Sequence, residues 1–220
     1  MRPFFDQHST RWRSLTGALH LYACPQSDDP LLRTYRKEAD ALSSFDGLKV
    51  QPERYVHMTL QRLDAYREQI DPERLSQLTA CLAQELPTLS PFVVSFAGAS
   101  ARPHAVEAVG EPSDPWVELV ESIGRAVDRA GLGSTLTESP YGPHYTVAYC
   151  VADTADSTIE AALAPVAART TMKIDRVSLV AVDQLPDQGI FTFDTMAEWP
   201  LGDTTPPRVK AGDPWSAGPA

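Results

Sequence analysis

The chain has 220 residues, of which 43% are hydrophobic and 22% are charged. This length predicts one domain or two small lobes, and the composition is too apolar for a wholly disordered chain. The formal net charge is -10, from 19 basic and 29 acidic side chains. That balance argues against a surface that binds long duplex nucleic acid by counterion release, so any anion site must act locally.

The cysteine pattern and the hydropathy pattern bear on the compartment. The three cysteines are widely spaced and form no C-x-x-C pair, so neither a disulfide framework nor a zinc site is indicated. No apolar run is long enough to span a membrane. The stretch Leu15–Cys24 is interrupted by His20, and we interpret it as a first strand rather than as a signal peptide. We therefore expect a cytoplasmic protein with free thiols and no membrane partner.

Hydrophobic periodicity predicts an alternation of strands and helices. Residues 1–14 are polar and irregular. In chain order we then predict a strand at Leu15–Cys24, a helix from Asp28-Asp29-Pro30, a strand at Arg54–Leu63, a helix from Asp71-Pro72, a strand at Phe92–Ala97 with its hairpin partner at Ala105–Val109, a helix from Asp114-Pro115, a strand at His144–Val151, a short helix from Asp156, and strands at Met172–Val182 and Gly189–Phe193. An Asp followed by Pro is typical of a helix start, because the carboxylate caps the first turn and Pro fits there.

The order of these elements predicts the fold class. Successive hairpins with helices between them favour an α+β fold with largely antiparallel sheets over a doubly wound parallel sheet. We expect a single domain over residues 15–198. Residues 199–220 are rich in Pro and Gly and are predicted to form a flexible tail.

Two of the predicted strands carry the same short motif, His-x-Thr. It occurs at His57-Met58-Thr59 and again at His144-Tyr145-Thr146. Because side chains alternate along a strand, the His and the Thr of each motif emerge on one face. A third match, His8-Ser9-Thr10, lies in a polar segment without a strand pattern and is interpreted as a chance match.

This combination suits the cleavage of a phosphodiester without a metal ion. The reaction needs a base for the attacking oxygen and an acid for the leaving oxygen, and histidine serves both roles near neutral pH. The Thr hydroxyls supply neutral hydrogen-bond donors for phosphoryl oxygens. Such a site does not depend on a basic surface, which agrees with the acidic composition.

The paired motifs resemble those of the 2H phosphoesterase superfamily, whose bacterial members include 2′-5′ RNA ligase-like proteins and cyclic phosphodiesterases. The resemblance covers about residues 15–198. It implies a bilobal α+β fold with two pseudo-symmetric lobes around a central cleft, and a reaction that uses no metal or other cofactor. It also implies that His57 and His144 are the general acid and base, and that Thr59 and Thr146 bind the phosphate of a 2′,3′-cyclic or related 2′-5′ phosphodiester.

Other side chains near the motifs are weaker candidates. Tyr55 and Gln61 share the face of His57 in the predicted strand and could line the cleft. Tyr141 precedes the second motif and could stack on a base. Arg62 alternates onto the opposite face, which argues against a phosphate contact.

Three functional classes remain open from the sequence. The first is a metal-independent phosphoesterase acting on a small nucleotide or a short RNA end. The second is a non-catalytic protein that binds nucleotides or RNA ends in the same cleft. The third, a metallohydrolase, is the weakest, because no Asp or Glu lies at a plausible ligand spacing from either histidine. A monomer without a long-duplex partner is expected in each case.

Overall fold

The computed structural model describes residues 1–10, 12–138 and 141–209. Within them the helices are α1 Pro30–Leu42, α2 Pro72–Glu85, α3 Asp114–Arg129 and α4 Asp156–Leu163. The strands are β1 Ala18–Ala23, β2 Leu48–Val50, β3 Met58–Tyr66, β4 Phe92–Phe96, β5 Ser100–Ala101, β6 Ala105–Val109, β7 His144–Cys150, β8 Thr170–Ile174, β9 Arg176–Leu185, β10 Ile190–Pro200 and β11 Arg208–Val209. The predicted α+β class is confirmed.

The described strands form three antiparallel sheets. A five-stranded sheet has the order β11-β10-β9-β1-β3, a four-stranded sheet has the order β2-β7-β6-β5, and β4 pairs with β8 in a third. Helices α2 and α3 pack with the five-stranded sheet, whereas α1 and α4 pack with the four-stranded sheet. Each motif strand therefore belongs to a different sheet, β3 to the first and β7 to the second.

Capping explains why the first two helices begin where the sequence predicted. Asp29 accepts the backbone N–H of Leu31 at 2.9 Å, and Pro30 is the first helical residue. Asp71 accepts the backbone N–H of Glu73 at 2.8 Å in the same way. Each carboxylate satisfies a backbone donor that has no partner inside the helix.

The predicted hairpin between Phe92–Ala97 and Ala105–Val109 is reduced to one antiparallel bridge, between Phe96 and Gly110. Strand β4 pairs instead with β8, while β6 lies between β5 and β7. The predicted strand at Met172–Val182 is also two strands, because the chain leaves one sheet at Ile174 and enters another at Arg176. Alternation detects strands but not their partners, and these long-range pairings depend on tertiary packing.

Both ends of the chain are more ordered than predicted, within the residues that the structure describes. At the start, Phe4, Phe5 and Trp12 pack with Phe191 and other residues between the two larger sheets. At the other end, Trp199 is buried in β10, which runs into the predicted tail, and β11 extends the same sheet. Residues 210–220 of that tail lie outside the described residues.

A buried carboxylate joins α1 to the second motif strand. Glu38 is fully buried, accepts the backbone N–H of Ala99 at 3.0 Å and accepts the hydroxyl of Tyr145 at 2.9 Å. Burial raises the pKa of Glu38, and the two hydrogen bonds oppose that rise. Since Tyr145 lies between His144 and Thr146, this contact fixes the strand that carries them.

We expect Tyr145→Phe to lower the free energy of unfolding by about 1–3 kcal/mol, because Glu38 would stay buried with one donor fewer. Urea denaturation monitored by circular dichroism measures the change. Tyr141→Phe is a matched control: its hydroxyl bonds Glu107 at 2.8 Å, but the residue is 65% exposed, so a loss of less than about 0.5 kcal/mol is expected. Equal losses in the two variants would contradict a special role for the buried contact.

Candidate active site

A cavity of about 380 Å³ lies between the two larger sheets and contains both His-x-Thr motifs. The residues that line it are Phe4, Thr10, Trp12, His20, Tyr22, His57, Thr59, Arg62, Glu107, Glu138, Tyr141, His144, Thr146, Tyr149 and Phe191. The four residues predicted to carry the chemistry are therefore brought together in one cleft.

The first histidine is held by its own backbone and by aromatic rings. The structure places His57 just before β3, after a short 3-10 turn at Glu53–Tyr55, and not inside a strand as predicted. The Nδ1 atom of His57 lies 2.8 Å from the carbonyl oxygen of Tyr55. A carbonyl only accepts, so Nδ1 carries hydrogen and Nε2 is the free nitrogen when the ring is neutral. The ring stacks on Tyr22 at 3.9 Å and meets the edge of Phe193 at 5.6 Å.

The second histidine repeats this arrangement. The Nδ1 atom of His144 lies 3.0 Å from the carbonyl oxygen of Gly142, again two residues earlier in the chain. Its ring stacks on Tyr141 at 4.6 Å. Both histidines thus use Nδ1 for the backbone and one ring face for a tyrosine, which leaves Nε2 available for chemistry.

Each motif threonine contacts a tyrosine hydroxyl. Thr59 pairs with Tyr22 across β1 and β3, and its hydroxyl opposes the rise in the pKa of Tyr22. The hydroxyl of Thr146 does the same for Tyr149. The Tyr22 hydroxyl also lies 2.8 Å from Nδ1 of His20, so a chain of polar groups extends behind Thr59. Burial raises the pKa of Tyr22 and of Tyr149, and both hydroxyls therefore stay protonated.

A β-bulge follows the threonine in both motifs. In β3, Thr59 pairs with Tyr22 but Gln61 pairs with Leu21, so one residue of β3 is extra. In β7, Thr146 pairs with Glu107 and Ala148 pairs with Val106, which leaves one extra residue there too. An extra residue shifts the alternation by one position. If the histidine of each motif is counted as position 0, the cavity is lined at positions 0, 2 and 5. These residues are His57, Thr59 and Arg62 in the first motif and His144, Thr146 and Tyr149 in the second.

The bulges change which predicted residues reach the cleft. Gln61 is turned away: its side-chain amide donates to the carbonyls of Thr137 at 3.1 Å and Arg62 at 2.9 Å, and the residue is 3% exposed. Arg62, which strict alternation placed on the opposite face, lines the cavity instead. Tyr149 occupies the corresponding place in the second motif.

The other two predicted substrate contacts differ in outcome. Tyr141 lines the cavity, beside His144. The ring of Tyr55 packs against Phe193 at 5.4 Å and lines a separate hollow, so only its carbonyl reaches the site. A 3-10 turn in place of the predicted strand directs the ring away from the cleft.

Burial controls the charge state of the first histidine. It lowers the pKa of His57 to about 4; the hydrogen bond to Tyr55 opposes the shift and the charge of His144 adds to it. Burial also lowers the pKa of His20, helped by the charges of Arg62 and His57. Both rings are therefore neutral at pH 7 in the unliganded site, and His57 can accept a proton.

Sequence reasoning missed one wall of the cavity. Phe4, Thr10 and Trp12 come from the segment that was expected to be irregular, and Phe191 faces them from β10. Aromatic residues near the start of a polar segment were the available signal. No group of three or more His, Cys, Asp or Glu suited to a metal ion occurs in the described part of the chain. Nor does any helix in that part have the length and apolar character needed to cross a bilayer.

Comparisons with solved structures show the same fold elsewhere. TT0787 of Thermus thermophilus matches with a TM-score of 0.65 and 17% identity, over 84% of this chain and 98% of that one. E. coli LigT, in a structure with 3′-AMP, matches with a TM-score of 0.61 and 12% identity, over 86% of this chain and 99% of that one. The PDE domain of MHV ns2 matches with a TM-score of 0.51 and 13% identity, over 75% of this chain and 98% of that one.

A comparison with curated protein sequences finds no match to this chain. The family model for the 2′-5′ RNA ligase superfamily matches residues 25–185, which is well over half of the chain and includes both motifs. The fold neighbours and this match agree with the resemblance seen in the motifs. The chain belongs to the 2′-5′ RNA ligase superfamily of 2H phosphoesterases.

Proposed function

We propose that this protein is a metal-independent phosphodiesterase that hydrolyses a 2′,3′-cyclic phosphate, or a related 2′-5′ phosphodiester, of a small nucleotide or RNA end. The supporting observation is the matched pair of histidines in one cavity, each with Nδ1 engaged and Nε2 free. Both rings line the same cavity, and the charge of His144 helps to lower the pKa of His57. E. coli LigT has been solved with 3′-AMP, NADP+ and ATP, which supports a nucleotide ligand.

The proposed reaction is an in-line displacement by water. Burial lowers the pKa of His57, and we assign its neutral ring as the base that takes a proton from the attacking water. The water oxygen bonds to phosphorus while one ester P–O bond of the ring breaks. His144, in its protonated form, gives a proton to the leaving ribose oxygen. The products are a ribose hydroxyl and a phosphate monoester.

The threonine hydroxyls bind the phosphoryl oxygens in this proposal. Thr59 is backed by the chain of Tyr22 and His20. If His20 carries hydrogen on Nδ1, it donates to Tyr22, Tyr22 donates to Thr59, and the hydrogen of Thr59 is free for the substrate. Neutral donors placed in advance stabilise charge that develops in the transition state.

We expect His57→Gln and His144→Gln each to lower kcat at least about 100-fold, because each removes one proton-transfer group. The assay is hydrolysis of 2′,3′-cyclic mononucleotides in excess EDTA, with product separated by chromatography. His8→Gln, in the third His-x-Thr match, is the control and should keep full activity. Full rate in either motif variant would refute the mechanism. Nucleotide binding without turnover of any cyclic or 2′-5′-linked substrate would favour the non-catalytic alternative.

The titration of His57 provides a second test. Because burial lowers its pKa, we expect its ring resonances to titrate near pH 4 in NMR spectra of the unliganded protein. Replacing Phe193 by Ala removes an aromatic neighbour of the ring and should admit water, which moves the midpoint up toward the ordinary value of about 6.5. A midpoint near 6.5 in the wild type would contradict the assignment of His57 as the group held neutral.

A further inference from the structure

Arg62 is a cation in the cleft that the proposed reaction does not use. It lines the cavity three residues after Thr59, and it pairs across the sheet with His20 of β1. Because of the bulge, Thr59 and Arg62 are about two strand positions apart, roughly 7 Å along β3. Arg62 therefore lies beyond the threonine that is proposed to hold the scissile phosphate.

The guanidinium of Arg62 is only partly satisfied by the protein. Its Nε atom is buried and has no hydrogen-bond partner. Its central carbon lies 5.7 Å from the centre of the Trp12 ring, a contact that positions the group. A buried polar atom without a partner is costly and calls for an explanation such as a ligand.

No carboxylate among the described residues neutralises this charge with an ion pair. Of the two acidic residues that line the cavity, Glu107 accepts the hydroxyl of Tyr141, and Glu138 is exposed. His20, the cross-strand neighbour, is held neutral mainly by burial. Among the described residues, the guanidinium of Arg62 thus has no ion-pair partner inside the cleft of a protein whose net charge is -10.

We propose that Arg62 binds a second phosphate of the substrate, distinct from the scissile one, and so selects nucleotides that carry both. This inference rests on the proposed function. The substrate class is a nucleoside with a cyclic phosphate and a further phosphate on its 5′ oxygen. That further phosphate is either a 5′-monophosphate or the phosphodiester that joins the last nucleoside of an RNA end to the one before it. Arginine suits it because its planar donors match phosphate oxygens.

A binding experiment tests the site without turnover. Isothermal titration calorimetry compares a nucleoside 3′-monophosphate with the matching 3′,5′-bisphosphate. We expect the wild type to bind the bisphosphate about 10-fold or more tightly, since charged hydrogen bonds are strong. Arg62→Met should remove that difference and change the Kd of the monophosphate less than about threefold. Arg54→Met is the matched control, because Arg54 lies over the Tyr55 ring and outside the cavity.

A kinetic experiment distinguishes the two sources of the second phosphate. The substrates are a 2′,3′-cyclic mononucleotide, its 5′-phosphorylated form, and a dinucleotide that ends in the cyclic phosphate. A preference in kcat/KM for either doubly charged substrate, lost in Arg62→Met, supports the proposal and identifies the source. An equal loss on all three substrates would overturn it and would assign Arg62 to the scissile phosphate or to packing.

Three further outcomes separate this inference from the proposed function. If the bisphosphate binds more tightly through Arg62 but no cyclic substrate is hydrolysed, the second phosphate site stands and the proposed reaction fails. If the monophosphate binds and the bisphosphate gains nothing, the inference fails alone; if neither binds and no cyclic substrate is hydrolysed, both fail. Should Arg62→Met not fold, Arg62→Lys replaces it, because Lys keeps the charge but lacks the planar donors and should reduce the bisphosphate preference.

Discussion

The paired β-bulges decide what this cleft contains. Each bulge follows the threonine of a His-x-Thr motif. As a result, the next residue that faces the cavity is the fifth after the histidine instead of the fourth. Without them, Gln61 and Ala148 would face the cavity where Arg62 and Tyr149 now lie. Because both sheets contain the same bulge, the cavity is lined at corresponding positions of the two motifs, and the last of these positions holds Arg62 in one motif and Tyr149 in the other.

Sequence patterns predicted those parts of the molecule that depend on local chemistry. Asp29 and Asp71 cap helices where an Asp precedes a Pro, and the two strand motifs meet in one cavity. Alternation could not reveal the bulges, since an extra residue changes the facing of everything after it. The wrong hairpin has the same origin, because pairing is settled by contacts far apart in sequence. Glu38 was also missed, as a carboxylate in an apolar helix stripe is buried only when partners such as Tyr145 are present.

The electrostatics of the site follow from burial more than from overall charge. Rings held in aromatic surroundings lose their protons easily, which keeps His57 and His20 neutral beside a permanently charged Arg62. An acidic protein can therefore hold a guanidinium without an ion-pair partner, among the described residues, in a cleft that Glu107 and Glu138 also line.

The N-terminal segment contributes to the wall of the cavity but contains neither His-x-Thr strand motif. Phe4 and Trp12 form one wall of the cavity, yet they precede the residues that match the family model, which begins at residue 25. The two His-x-Thr motifs and this part of the wall are thus encoded in different stretches of sequence. Substitutions within residues 1–14 would change this part of the wall without altering the sequence of either motif. Substrate range could therefore be engineered, or could diverge in evolution, through a short terminal module.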